Sequence, residues 1–308
     1  MSTQMTTSQT RSFSLGLYLF IVFGLSWPFQ FASALWGGSN LLPVYVLNAT
    51  SMLMVTVGTF IVGRYVFRDG FAGAGWSWGK PRYYLAVIGL ALLLWVVPTF
   101  IDLALKHVRL PGHITPTQLV WVFVLLFVTL LPGFGEEFGW RGYMLAHLAQ
   151  RMSERKAVLL HAVIWWTWHL PILVGAAVAS AKMAALPGSP LSETQWSAFR
   201  FILVTAVIVI LSAVPTILHG VVFAYIWSRG RSLAVSSVYH AAFDGLRDSL
   251  GLTIGLGPVA GIWANLVLII LSIVLLWRGS WSNLKANTTV PEPESLEAKM
   301  QDVGPVKV

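Results

Sequence analysis

Eight runs of roughly 20 mostly apolar residues, each long enough to cross the hydrocarbon core of a bilayer as a helix, dominate this 308-residue chain. They lie at about 14–36, 42–66, 83–105, 117–135, 157–180, 201–228, 233–251 and 256–277, the seventh being the least apolar. Inside a bilayer every backbone N–H and C=O must be satisfied within the protein, which such runs achieve as helices. The expected fold is therefore all-α, a polytopic transmembrane helical bundle of about eight spans over residues 14–278. A polar N-terminal segment, 1–13, precedes it. A polar tail, 279–308, follows it and contains Pro291, Glu292, Pro293 and Glu294. The tail has little to bury and reads as disordered.

Composition points the same way. Hydrophobic residues make up 56% of the chain and charged residues only 10%, against about 25% charged in a soluble domain. The run after the polar start contains Pro28 and no small-residue cleavage site, so it reads as a first span and not as a removed signal peptide. There are no cysteines, which excludes disulfides, thiolate nucleophiles and Cys-ligated zinc. The net charge of +8 is not gathered into a basic stripe with interleaved aromatics, so nucleic acid is not an expected partner. The lipid bilayer is.

The basic residues orient the bundle. With a cytoplasmic amino terminus, the inner loops carry Arg64, Arg68, Lys80 and Arg82, then Arg151, Arg155 and Lys156, then Arg229 and Arg231, then Arg278 and Lys285. The outer loops and adjoining helix ends carry Lys106, Arg109, Lys182, Arg200 and Arg247. The excess lies inside, which predicts both termini in the cytoplasm.

Ionisable side chains within spans are costly and mark function. Asp102 falls at the outer end of the third span, where water is expected to reach it. The densest cluster is Glu136-Glu137-Phe138-Gly139-Trp140-Arg141, preceded by Pro132, Gly133 and Gly135, which loosen the helix. Glu137 and Arg141 are four apart and can pair on one helical face. Glu136 points about 100° away, free to take a proton. His169 sits near the middle of the fifth span, and Pro171 frees a backbone carbonyl nearby that a donor can satisfy. His161, eight residues earlier, is about 12 Å away along the axis and cannot share a metal with it. His240 and Asp244 share a face of the seventh span at i,i+4. Small residues around them allow close helix approach. His219 reads as packing or supporting. Counted from the cytoplasmic helix ends, His240, His169 and the Glu pair fall at depths that one polar pocket open to the cytoplasm can hold.

The chain lacks His-Glu-x-x-His, Gly-x-Ser-x-Gly and any Cys nucleophile. A carboxylate, two histidines and a second acid remain. That set suits activation of water against an amide carbonyl, and it could also ligate a divalent metal such as zinc through Glu136, His169, His240 and Asp244.

In order, Glu-Glu-x-x-x-Arg, aromatic-x-x-x-His and His-x-x-x-Asp resemble the CPBP family. It comprises the CAAX prenyl endopeptidases of the Ras-converting type and the bacteriocin-processing or immunity proteins. The matching stretches are Glu136–Gly142, Trp165–Pro171 and His240–Asp244, within about 125–250. The resemblance implies an intramembrane endopeptidase acting on a membrane-associated or lipidated peptide. Glu136 and His169 would activate water, His240 and Asp244 would lie where the oxyanion forms, and Glu137 with Arg141 would support them. It leaves metal-dependent and glutamate-dependent hydrolysis both open, and it implies a bacterial or archaeal plasma membrane. Two positions depart from the pattern. Trp165 stands where Phe is usual, and Asp244 stands where the prenyl proteases carry Asn. Two other readings compete with hydrolysis: a non-catalytic membrane scaffold or immunity protein, and a proton-coupled transporter, which would be expected to show inverted repeats.

Overall fold

A computed structural model describes residues 12–36, 42–184, 198–256 and 260–284. Each apolar run is a helix wherever it is described. The helices are α1 (Leu15–Leu35), α2 (Leu42–Ile61), α3 (Pro81–Ala104), α4 (Pro116–Val128), α5 (Leu130–Glu137), α6 (Ala146–Arg151), α7 (Glu154–Trp168), α8 (Leu170–Ala184), α9 (Ala198–Gly230), α10 (Leu233–Asp248) and α11 (Ala260–Arg278).

Local chemistry sets several starts. The Ser14 hydroxyl accepts from the Leu17 N–H at α1. Thr115 and Gln118 form a reciprocal capping box at α4, with Pro116 in the first turn where its missing N–H is harmless. Ser232 caps α10 through the Val235 N–H.

Among the described residues, five helices are long and apolar enough to cross a membrane. They are Leu15–Leu35, Leu42–Val66, Pro81–Ala104, Pro116–Arg151 and Phe201–Gly230. The pair α7 and α8, bent by 49° at His169, makes six if it counts as one broken span. The last run, of which Trp263–Arg278 is a shorter apolar helix, and α10 fall below that standard. The chain is an integral, multi-pass helical protein, and α10, the least apolar of the runs, is also the one with a polar buried face. One of its faces is polar and turned inward, with Ser236, Ser237 and His240 buried.

That inversion is general. The buried line of α1 runs Tyr18, Val22, Ser26, Gln30 and Ser33, while Leu17, Phe20 and Phe31 are exposed on its outer side. The environment outside this bundle is apolar, so its polar side chains pack within. α10 packs against α3, α4 and α5; α2 packs on α1 and α5; α7 and α8 pack on α9.

Glycines permit the close crossings. A Cβ on Gly220 of α9 would lie 3.0 Å from the Cα of Ala162 in α7. Gly220→Val is therefore expected to force α7 from α9 and to destabilise the fold by about 1–3 kcal/mol, the usual cost of overpacking. Thermal unfolding in detergent checks this, and an unchanged midpoint would show that the crossing is not tight.

Two expectations are corrected by packing. Asp102 is not reached by water but fully buried. The Trp263 indole N–H donates to its Oδ1 at 3.1 Å, and His107 Nδ1 lies 3.1 Å from the same oxygen. The beginning of the polar tail is packed as well. Trp281 and Leu284 are buried, Trp281 against Tyr225 with ring centroids 5.3 Å apart. The rest of the tail, from 285, and most of the polar start lie outside the described residues.

Candidate active site

The Glu pair stands where the winding of a long helix changes. α4 and α5 meet at Thr129, three residues before Pro132, whose ring nitrogen has no hydrogen to bond the carbonyl one turn back. From Phe138 to Leu145 the winding is π, with i→i+5 bonds, a geometry often found at functional sites. Bare glycine backbone lets neighbours close around this stretch. A Cβ on Gly133 would lie 3.2 Å from the Cβ of His240. The Thr56 hydroxyl donates to the Gly135 carbonyl at 3.0 Å, and the Tyr18 hydroxyl donates to that of Gly139 at 2.9 Å.

The two acids have different partners. Glu137 Oε1 accepts from Arg141 Nη1 at 2.9 Å and faces His240 Nδ1, also at 2.9 Å. Arg141 is wholly buried, its guanidinium carbon 4.6 Å from the Trp165 ring centroid and 4.3 Å from that of Phe223. Among the described residues, Glu136 has no ion-pair partner. Its Oε2 accepts from the Trp165 indole N–H at 2.9 Å. The division expected from spacing holds: one acid is paired, and the other is held by a neutral donor.

His169 lies at the break between α7 and α8. Its Nδ1 is 2.7 Å from the Trp165 carbonyl oxygen. A carbonyl only accepts, so Nδ1 carries the hydrogen, and in the neutral ring Nε2 is the acceptor. The histidine thus satisfies a carbonyl left over at its own kink. Trp27 does the same for the Trp168 carbonyl at 3.0 Å.

His240 is held on both sides. Opposite Glu137, its Nε2 lies 3.4 Å from Asp244 Oδ2, longer than the usual span of an N–H···O bond. Asp244 Oδ1 is 2.8 Å from Arg247 Nη1, and Arg247 Nε donates to Asp248 Oδ1 at 2.8 Å.

Glu136, His169, His240 and Asp244 all line one cavity of about 420 Å³, together with His219, Arg247 and Trp165. His219 was read as packing or supporting. It reaches this wall and shares a 2.9 Å hydrogen bond with the Tyr239 hydroxyl. His161 stays apart, fully buried and without a hydrogen-bond partner among the described residues. Arg247 and Tyr239 escaped the sequence reading. The signal for Arg247 was its place three residues beyond Asp244, on the same helical face.

The donor set does not fit a metal ion as it is placed. Each ring nitrogen of His240 faces a carboxylate, and Glu136 and His169 each spend one polar atom on Trp165. Among the described residues, no group of three or more His, Cys, Asp or Glu side chains is arranged to hold a metal.

Residues 117–246 match the family model described as type II CAAX prenyl endopeptidase, Rce1-like. A stretch of 49 residues is 43% identical to CAAX prenyl protease 2 of Methanococcus maripaludis. The alignment covers 16% of this chain and 18% of that relative, so the chain is matched over less than a fifth of the relative's length. The family match contains Glu136, Glu137, Arg141, His169, His219, Tyr239, His240 and Asp244, and stops one residue short of Arg247. Through these residues the chain is similar to the Rce1-like CAAX prenyl endopeptidases over its central 117–246 stretch.

Proposed function

We propose that this protein is an intramembrane endopeptidase that hydrolyses a peptide bond in a membrane-associated, lipidated peptide with water activated by Glu136 and His169. The observation that carries the reading is the convergence of Glu136, His169 and His240, from three separate stretches of chain, on one cavity. Water bound there would give one hydrogen to the free oxygen of Glu136 and direct the other to His169 Nε2. Its lone pair then faces the substrate carbonyl. As the C–O bond forms, Glu136 takes the proton, and it returns the proton to the leaving nitrogen when the C–N bond breaks. The oxyanion needs an N–H donor. Asp244, as a carboxylate, has none to give. The His240 Nε2–H, only loosely engaged by Asp244 at 3.4 Å, is the donor, and Glu137 with Arg141 holds the ring from its other side.

A groove of about 710 Å³ between α2 and α4 shares Asn48, Met52, Asp244 and Arg247 with the cavity. Leu42, Val46, Trp121, Leu125 and Val128 line it, which suits an apolar chain attached to the peptide. With the relative's name, this favours a prenylated CAAX peptide as the first substrate to try.

The deciding experiment is cleavage of such a peptide by the purified protein in lipid nanodiscs, wild type against Glu136→Gln. A scaffold or immunity protein would keep its cellular effect with that substitution, whereas a peptidase would not. No step above passes through a metal, so cleavage is expected to survive exhaustive chelation with less than a twofold loss of rate. A loss restored by added zinc would require a different chemistry at this place.

A further inference from the structure

The site continues beyond the residues that the motifs mark. Six side chains of alternating sign follow one another from α10 to the Glu pair: Asp248, Arg247, Asp244, His240, Glu137 and Arg141. Their successive contacts are 2.8, 2.8, 3.4, 2.9 and 2.9 Å. One link is long, and it is the one between Asp244 and His240.

The cause lies in how Asp244 is shared. Its Oδ1 is drawn to Arg247 and its Oδ2 faces His240. Asp244 belongs to the same helix as both partners, so its carboxylate turns toward one at the expense of the other. Here Arg247 has the short contact and His240 the long one. Arg247 is in turn anchored by Asp248. An exposed Arg–carboxylate pair contributes little. Here Arg247 is 45% exposed but Asp244 only 18%, and Asp244 lines the cavity with His240 and Glu136.

We infer that Arg247 is a positioning residue for hydrolysis: by holding Asp244 away from His240, it keeps the His240 Nε2–H available to the reacting carbonyl. The inference rests on the peptidase reading above. An unrestrained carboxylate at position 244 would capture the histidine's N–H, since a charge-assisted bond is short and strong. An amide oxygen would hold it less. Arg247 makes the aspartate tolerable.

The test combines substitutions with a readout that needs no turnover. Arg247→Gln frees Asp244 to close on His240. The kcat for the prenylated CAAX peptide is expected to fall about tenfold, within the range of couplings between contacting residues, with KM changed less than about twofold. Arg247→Lys, which keeps a cation there, is expected to recover most of the rate. Adding Asp244→Asn to Arg247→Gln removes the competing carboxylate and is expected to bring kcat back to within about threefold of wild type, a gain that independent losses cannot give. In parallel, proton NMR of histidine-labelled protein in nanodiscs follows the His240 Nε2–H, assigned by its absence in His240→Asn. That resonance is expected to move downfield in Arg247→Gln and to return in Arg247→Lys. Three results would overturn the inference: an unmoved resonance, an undiminished kcat in Arg247→Gln, or a double variant slower than Arg247→Gln alone. Should the wild type not cleave the peptide, the peptidase reading fails there, and the resonance still decides what Arg247 does to His240.

Discussion

Glu136→Gln is expected to lower kcat for peptide cleavage by about 10²- to 10⁴-fold, the usual worth of a positioned general base, while leaving the protein folded. Glutamine keeps an oxygen for the Trp165 indole N–H, which is the one hydrogen bond the structure gives Glu136. It cannot accept and return a proton. The unfolding midpoint should therefore stay close to that of the wild type, because no ion pair is broken. The neighbouring acid should behave in the opposite way, since Glu137 joins Arg141 to His240. A Glu136→Gln variant that cleaves at the wild-type rate would remove the basis for hydrolysis at this cavity.

Arg141→Met is expected to be among the most damaging substitutions for the fold. It leaves Glu137 fully buried with no guanidinium, and breaking a buried pair by removing one partner costs about 3–5 kcal/mol. The packing of the guanidinium over Trp165 and Phe223 goes with it. Chemical unfolding in mixed micelles measures the loss. Pairing Arg141→Met with Glu137→Gln should recover part of it, because the stranded charge is then gone. If Arg141→Met alone left stability unchanged, the ion pair would be solvated and Glu137 would not be the anchor of His240.

The apolar runs located the helices because twenty apolar residues in a row leave the backbone few alternatives. They could not tell that α10 is packed rather than lipid-facing. That depends on which neighbours surround it, and α3, α4 and α5 come from far along the chain. The different partners of the two glutamates were legible, since an i,i+4 cation for one and none for the other is a local fact. The carbonyl that Pro171 leaves without an N–H is that of Thr167, four residues back, whereas the one His169 engages is that of Trp165. Asp102 misled because its position in the run says how far along the helix it sits and nothing of Trp263 from α11 beside it. His219 and Tyr239 are twenty residues apart on different helices, and no spacing rule brings them together. Arg247 was legible in spacing, but its count as a loop charge hid it.

The widened winding from Phe138 to Leu145 has a consequence for chain length. A helix carries its side chains round by about 100° for every residue, and the π stretch absorbs a surplus at this point. With one residue fewer between Glu137 and Ala146, the ordinary pitch could resume with the flanking segments near their present bearing, whereas one residue fewer in the regular turns of α4 would swing the acids by the full angle against what precedes them. Substitutions alter which atoms are present, whereas a deletion in those regular turns would leave every residue of the motif intact in sequence and turn the Glu pair toward another wall.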